Sequence, residues 1–194
     1  NACGILNSPS AKLRVIQAST FSNTTSTSCG TNLNNDYSFQ RNITVTGLPT
    51  PLGTSSSQYV LRQVNLQLGT TSCEGILSTY QARLKSPNGT IIQLFNQFTD
   101  NNSAAIWANI KYRDHAALER IREYTDANEG TYYPFSIGYY AIETDGSFFS
   151  VNGQNPNGTW TLELAENTDL ANDGGADDEV SFQKVELVFG PKFS

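Results

Sequence analysis

The chain has 194 residues, with 12 Lys and Arg against 18 Asp and Glu, a net charge of -6. That length supports one well-cored domain and is short for two. An acidic chain without a basic run argues against nucleic acid, whose phosphates demand Lys and Arg, and against electrostatic attachment to anionic lipid.

Charged residues make up only 15% of the sequence, while Thr, Ser, Asn, Gly and Tyr are abundant. That mixture suits short strands joined by polar turns in a secreted or cell-surface protein. No stretch reaches the roughly 18 apolar residues of a membrane span.

In chain order, Asn1-Ala2 reads as a remnant of tag cleavage, residues 1–10 as an N-terminal linker, and 11–194 as one domain. Both ends read as cut from a longer protein. If Asn1-Ala2 is a remnant, the natural segment begins at Cys3, the position of an acylated cysteine in a bacterial lipoprotein. The segment 19–35 is poor in apolar residues and reads as a surface loop. Tyr37, Phe39, Ile43 and Val45 then alternate with polar residues on one face of a strand. A turn cluster, TGLPTPLGTSSS, fills 46–57.

Two further strands carry Val64, Leu66 and Leu68, then Tyr80, Ala82 and Leu84. Cys29 and Cys73 lie in polar, Ser/Thr-rich surroundings and are the expected disulfide pair, with Cys3 left over. Such a bridge closes a loop of about 45 residues, worth roughly 4 kcal/mol on the chain-entropy account. Three free thiols are the alternative. SPNG at 86–89 marks a tight turn.

The connection from 104 to 150 is long. Within it RDHAALERIREY, 113–124, loses the period of two. Asp114 can cap one or two helical turns there, with Leu118 and Ile121 inward. The aromatics Tyr132, Tyr133, Phe135, Tyr139, Tyr140, Phe148 and Phe149 follow. Most are expected in the core, while any exposed ring offers a sugar a stacking platform.

NPNG at 155–158 marks another turn, feeding Trp160, Leu162 and Leu164 on one face of a strand. In the closing strand EVSFQKVELVF the apolar phase flips between Phe182 and Val185. A β-bulge near Gln183 and Lys184 accounts for the flip by inserting one residue.

These elements predict an all-β fold, an antiparallel β-sandwich or barrel. The run ARLKSPNGTIIQLF, then YRDHA, GTYYP, FFSVNGQNPNGTWTLELAE and VSFQKVELVFG, resembles the P domain, or homo B domain. That domain accompanies kexin- and furin-type proprotein convertases and secreted bacterial subtilisin-like proteases. The match covers roughly 58–190, and NPNGTWTLEL is its most specific piece. Three features depart from the pattern: CEGILSTYQARL replaces a usual His and Gly-Asp-Leu, Glu166 stands where Asp is usual, and the connection from 104 to 150 is longer than usual.

The resemblance implies a jelly roll of about eight strands in two packed sheets, with Trp160 plugging the core just past its turn. It also implies that the two PNGT pieces are turns of similar type, and that Asp114 and Ala116 fall on a motif that is not catalytic. The function it implies is a non-catalytic accessory or interaction domain of a larger multidomain protein. A carbohydrate- or matrix-binding module is the second reading, with a glycan partner, and an enzyme the third.

The richest candidate site is the acidic run ENTDLANDGGADDE. Asp169, Asp173, Asp177, Asp178 and Glu179 form an oxygen-rich cluster beside Gly174 and Gly175, suited to calcium. Its spacing is not that of an EF-hand, and a solvated acidic turn is the plain alternative. Asp100 and Asp114 are secondary candidates. His115 is the single histidine, and no G-x-S-x-G, H-x-x-x-H or C-x-x-C accompanies it, which argues against hydrolase and zinc chemistry. Sequons at Asn23, Asn42, Asn88, Asn101 and Asn157 read as accidents of an Asn/Thr-rich composition.

Overall fold

Alternation decides which face each strand buries. In the computed structural model the described residues are 18–27, 31–32, 36–53, 59–68, 80–96, 108–113, 135–141, 147–166, 179–180 and 182–191. Among them run β1 (Ser19–Asn23), β2 (Thr31–Asn32), β3 (Phe39–Val45), β4 (Tyr59–Leu68), β5 (Tyr80–Lys85) and β6 (Ile91–Phe95). β7 (Ala108–Arg113), β8 (Phe135–Ala141), β9 (Gly158–Glu166), β10 (Glu179–Val180) and β11 (Phe182–Pro191) complete the set.

One sheet has the order β1-β11-β4-β7-β8, a second β3-β9-β5-β6, and β10 pairs β2 alone. With β2, β8 and β10 set aside, eight strands remain. One sheet then holds the first, eighth, third and sixth of them, and the other the second, seventh, fourth and fifth. That is the strand order of a jelly roll. All pairings are antiparallel except β7 with β8, which is parallel. This added edge strand lies within the long connection after β7.

Between the sheets, Trp160, Leu162, Leu164, Leu84, Leu187 and Phe189 are all at most 1% exposed, as the period of two predicts. The Trp160 ring meets Phe189 edge-on at 5.6 Å. Its indole N–H donates to the Pro156 carbonyl at 2.8 Å, so the ring is buried without an unpaired donor.

The predicted bulge is present: β11 pairs Phe182 with Leu68 and Lys184 with Gln67, leaving Gln183 as the extra residue. A second shift lies further along the same ladder, where Val188 faces Gln63 and Phe189 faces Leu61, so that Arg62 is extra on β4.

Three expectations are corrected. The polar segment 19–35 is not simply a loop, because β1 pairs β11 over its whole length. Backbone groups need no apolar side chains to pair, and one anchor, Phe21, packs edge-on against Phe189 at 6.1 Å. At the end of β1 the Asn23 side chain donates to the Asn42 carbonyl of β3, in the other sheet.

Tyr37 does not share the inner face of β3. Its φ is 55°, which turns it away from that face. Its hydroxyl donates to Gln81 at 2.6 Å.

The two PNGT turns also differ in kind. In the first, the Gly89 N–H donates to the Ser86 carbonyl, closing the β5–β6 hairpin. The second is an Asx turn, in which Asn155 Oδ1 accepts from the Asn157 N–H. Cys3, Cys29 and Cys73, and the helical turns expected over 114–124, lie outside the described residues.

Candidate functional site

The motif residues meet at one end of the sandwich. Gly158 has φ +135°, and a Cβ there would come within 2.9 Å of Pro87 Cβ, so the two PNG segments touch through glycine. Asn157 ties in a third loop: Oδ1 accepts from the Leu48 N–H and Nδ2 donates to the Leu48 carbonyl, both at 2.9 Å. Nδ2 also reaches Asn155 Oδ1, so this sequon asparagine is engaged in structural hydrogen bonds. Gln154 links two more pieces, donating to Thr90 Oγ1 at 2.7 Å and to the Ser150 carbonyl at 3.2 Å. Phe149, 48% exposed, flanks this end, while Phe148 beside it is buried. These residues hold loops together, and none of the side chains named here is poised as a nucleophile with a base.

The outer face of the four-stranded sheet carries a closed cluster. Glu163, 4% exposed, accepts from Arg83 Nε at 2.5 Å. The Arg83 guanidinium lies 3.7 Å from the centre of the Tyr37 ring. Gln40 Nε2 reaches the other Glu163 oxygen at 3.4 Å.

The outer face of the five-stranded sheet is different. Gln63, Asn65 and Gln67 of β4 recur at every second position, with Lys111 of β7 on one side and Lys184 and Glu186 of β11 on the other. Together they line a concavity of about 260 Å³. Asn65 is its centre, in register with both Lys111 and Glu186.

The side chains form a ladder. Arg113 Nε donates to Gln63 Oε1 at 2.9 Å, and Gln63 Nε2 donates to Asn65 Oδ1 at 2.6 Å. Asn65 Nδ2 then donates to Glu186 Oε1 at 2.6 Å, and Lys184 Nζ meets Glu186 Oε2 at 2.5 Å. The floor is the stretch of the β4–β11 ladder between the two bulges, from Lys184–Gln67 to Val188–Gln63. Bulges bend and twist a strand pair locally, so this stretch is curved at both ends.

Among the described residues of β4, β7 and β11, Arg62, Lys111, Arg113 and Lys184 stand on the part-exposed positions against one carboxylate, Glu186. Burial, and after it the charge on Arg113, lowers the Arg62 pKa from its ordinary value. Sequence reasoning passed over this site. The signal was the alternation of amides in RQVNLQ, which on its own reads as a solvated strand face.

The acidic candidates Asp169, Asp173, Asp177 and Asp178 lie outside the described residues, as do Asp100, Asp114 and His115. Glu179 is on β10, paired with Asn32. Among the described residues no three His, Cys, Asp or Glu groups come together as cation ligands. No described helix is long and apolar enough to cross a membrane. Of the aromatic run, Phe135, Tyr139 and Tyr140 fall on β8, with Tyr139 in register with Lys111, and Tyr132 and Tyr133 lie outside the described residues.

No family model matches the chain. No curated protein matches it. Among solved structures it is similar to a serine protease of Aeromonas sobria, with 12% identity and a TM-score of 0.43, over 92% of this chain and 28% of that one. It is likewise similar to a chain in the complex of the Aeromonas sobria serine protease with its chaperone, with 14% identity and a TM-score of 0.42, over 91% of this chain and 28% of that one.

Proposed function

We propose that this chain is a non-catalytic accessory domain of P-domain type, working beside a subtilisin-like protease domain in a secreted or surface protein. The observation that carries the reading is the meeting of SPNG and NPNG through Pro87 and Gly158, with Trp160 seated directly behind them. The motif residues thus have a joint purpose, which is to lock three loops over the end of a jelly-roll core. A domain whose signature is spent on rigidity suits a stabilising or docking role better than a reactive one. The acidic run 169–179 belongs to the same proposal as a structural calcium site. There millimolar calcium raises the melting temperature and a chelator lowers it, and unchanged melts remove the metal from the proposal.

The test of the domain's role uses the intact protein and a version lacking residues 18–191. The expected result is a lower melting temperature and faster loss of peptidase activity in the shortened protein, with no turnover of ester or peptide substrates by this chain alone. Equal melting and activity in the two forms, or turnover by the isolated chain, overturns the reading.

A further inference from the structure

We propose that the concavity over the middle of the five-stranded sheet binds an acidic saccharide, a sugar chain bearing carboxylate or sulfate groups. This site is independent of the accessory role and of the acidic run.

The chemistry of the lining selects the ligand. Gln63, Asn65 and Gln67 are carboxamides, and each both donates and accepts. Sugar hydroxyls do the same, so amides set roughly 6.7 Å apart at every second strand residue can meet hydroxyls at separate points along a sugar chain. Among the described residues no apolar or aromatic side chain lines the concavity, which argues against a greasy small molecule. A volume of about 260 Å³ falls just below the roughly 300 Å³ where drug-sized pockets begin, and suits one ring of a chain that continues past both rims.

Lys111 and Lys184 supply the charge preference from opposite sides of Asn65, one on β7 and one on β11. An ammonium has three N–H donors, so Lys184 keeps donors beyond the one aimed at Glu186. Arg113 and Arg62 extend the positive field beside Gln63. Among the described residues this is a locally cationic face, on a chain whose net charge is -6. The four cations among the described residues, without a basic run, are too few for a nucleic acid backbone, which is gripped by many phosphate contacts.

Preorganisation completes the case. The ladder from Arg113 through Gln63, Asn65 and Glu186 to Lys184 holds these rotamers before any ligand arrives. Side chains already ordered lose less entropy on binding.

The probes are oligogalacturonate for carboxylate sugars, heparin tetrasaccharide for sulfated ones, a neutral cello-oligosaccharide, and poly-glutamate for charge without sugar. Binding by calorimetry is expected for at least one acidic sugar and neither control. A K111Q/K184Q double variant is expected to bind at least tenfold more weakly while remaining folded, with a cooperative melt. Gln67→Glu, at an exposed position outside the ladder, is expected to weaken binding in the same direction. Lys85→Gln, which removes one exposed charge from the other sheet, is expected to bind as wild type. Three results each overturn the proposal: no binding of either acidic sugar, poly-glutamate binding as tightly, or Lys85→Gln losing as much as the double variant.

Discussion

The two outer faces of this sandwich use similar residues to opposite ends. On the four-stranded sheet, Arg83 and Glu163 face each other across β5 and β9, and the Tyr37 ring lies over the guanidinium. Glu163 is 4% exposed, so the charge is closed off from water. On the five-stranded sheet, Lys184 and Glu186 also pair, but the side chains stay 37% and 19% exposed around an open concavity. A carboxylate under a roof is part of the structure, because leaving either partner alone there is costly. A carboxylate in an open ladder orders its neighbours while they remain within reach of a ligand. Fold and pairing geometry are shared, and the difference lies in what covers each face.

The comparison can be broken in order of expected effect. Trp160→Ala, in the core between the sheets, sets the scale and should cost about 3–5 kcal/mol in urea unfolding. A loss under about 1 kcal/mol would show that neither sheet depends on this ring. Glu163→Gln should cost about 1–3 kcal/mol, since Arg83 loses its counter-charge beneath Tyr37. Arg83 is 28% exposed, which keeps the loss below that of a fully buried pair.

Tyr37→Phe keeps the ring over Arg83 and removes only the hydroxyl bond to Gln81. The expected loss is about 0.5–1.5 kcal/mol, read from the unfolding midpoint at unchanged slope. Glu186→Gln comes last, below about 1 kcal/mol, and smaller still in high salt. Equal losses for Glu163→Gln and Glu186→Gln would abolish the distinction between the faces.

Much of the sandwich was legible. Leu66, Leu84 and Leu162 are buried because period-two alternation leaves a strand only one dry side. The bulge at Gln183 was legible because one inserted residue flips the apolar phase, and that flip is written into Phe182 and Val185. The bulge at Arg62 was not, since Leu61, Val64 and Leu66 read equally well as a strand with one polar slip. β1 was missed because its stability comes from β11, which supplies the paired backbone that its own polar residues do not advertise. Tyr37 was misplaced because alternation assumes extended backbone, and one left-handed residue breaks it.

Sequence alone thus determined the all-β class and the inward faces of β3, β5, β9 and β11, and the family resemblance added the seat of Trp160 in the core. These are local matters, settled by a two-residue period and by turn chemistry within about ten positions. Only the tertiary structure decided the concavity. Asn65 and Glu186 are 121 positions apart, and their hydrogen bond exists because the jelly roll lays β4 beside β11. Likewise Pro87 meets Gly158, and Tyr37 lies over Arg83, only because the four-stranded sheet lays β3, β9 and β5 side by side. A polar side chain on a strand reads the same whether it faces water or a binding site, because the side-chain period sets its face and only the fold sets its neighbours.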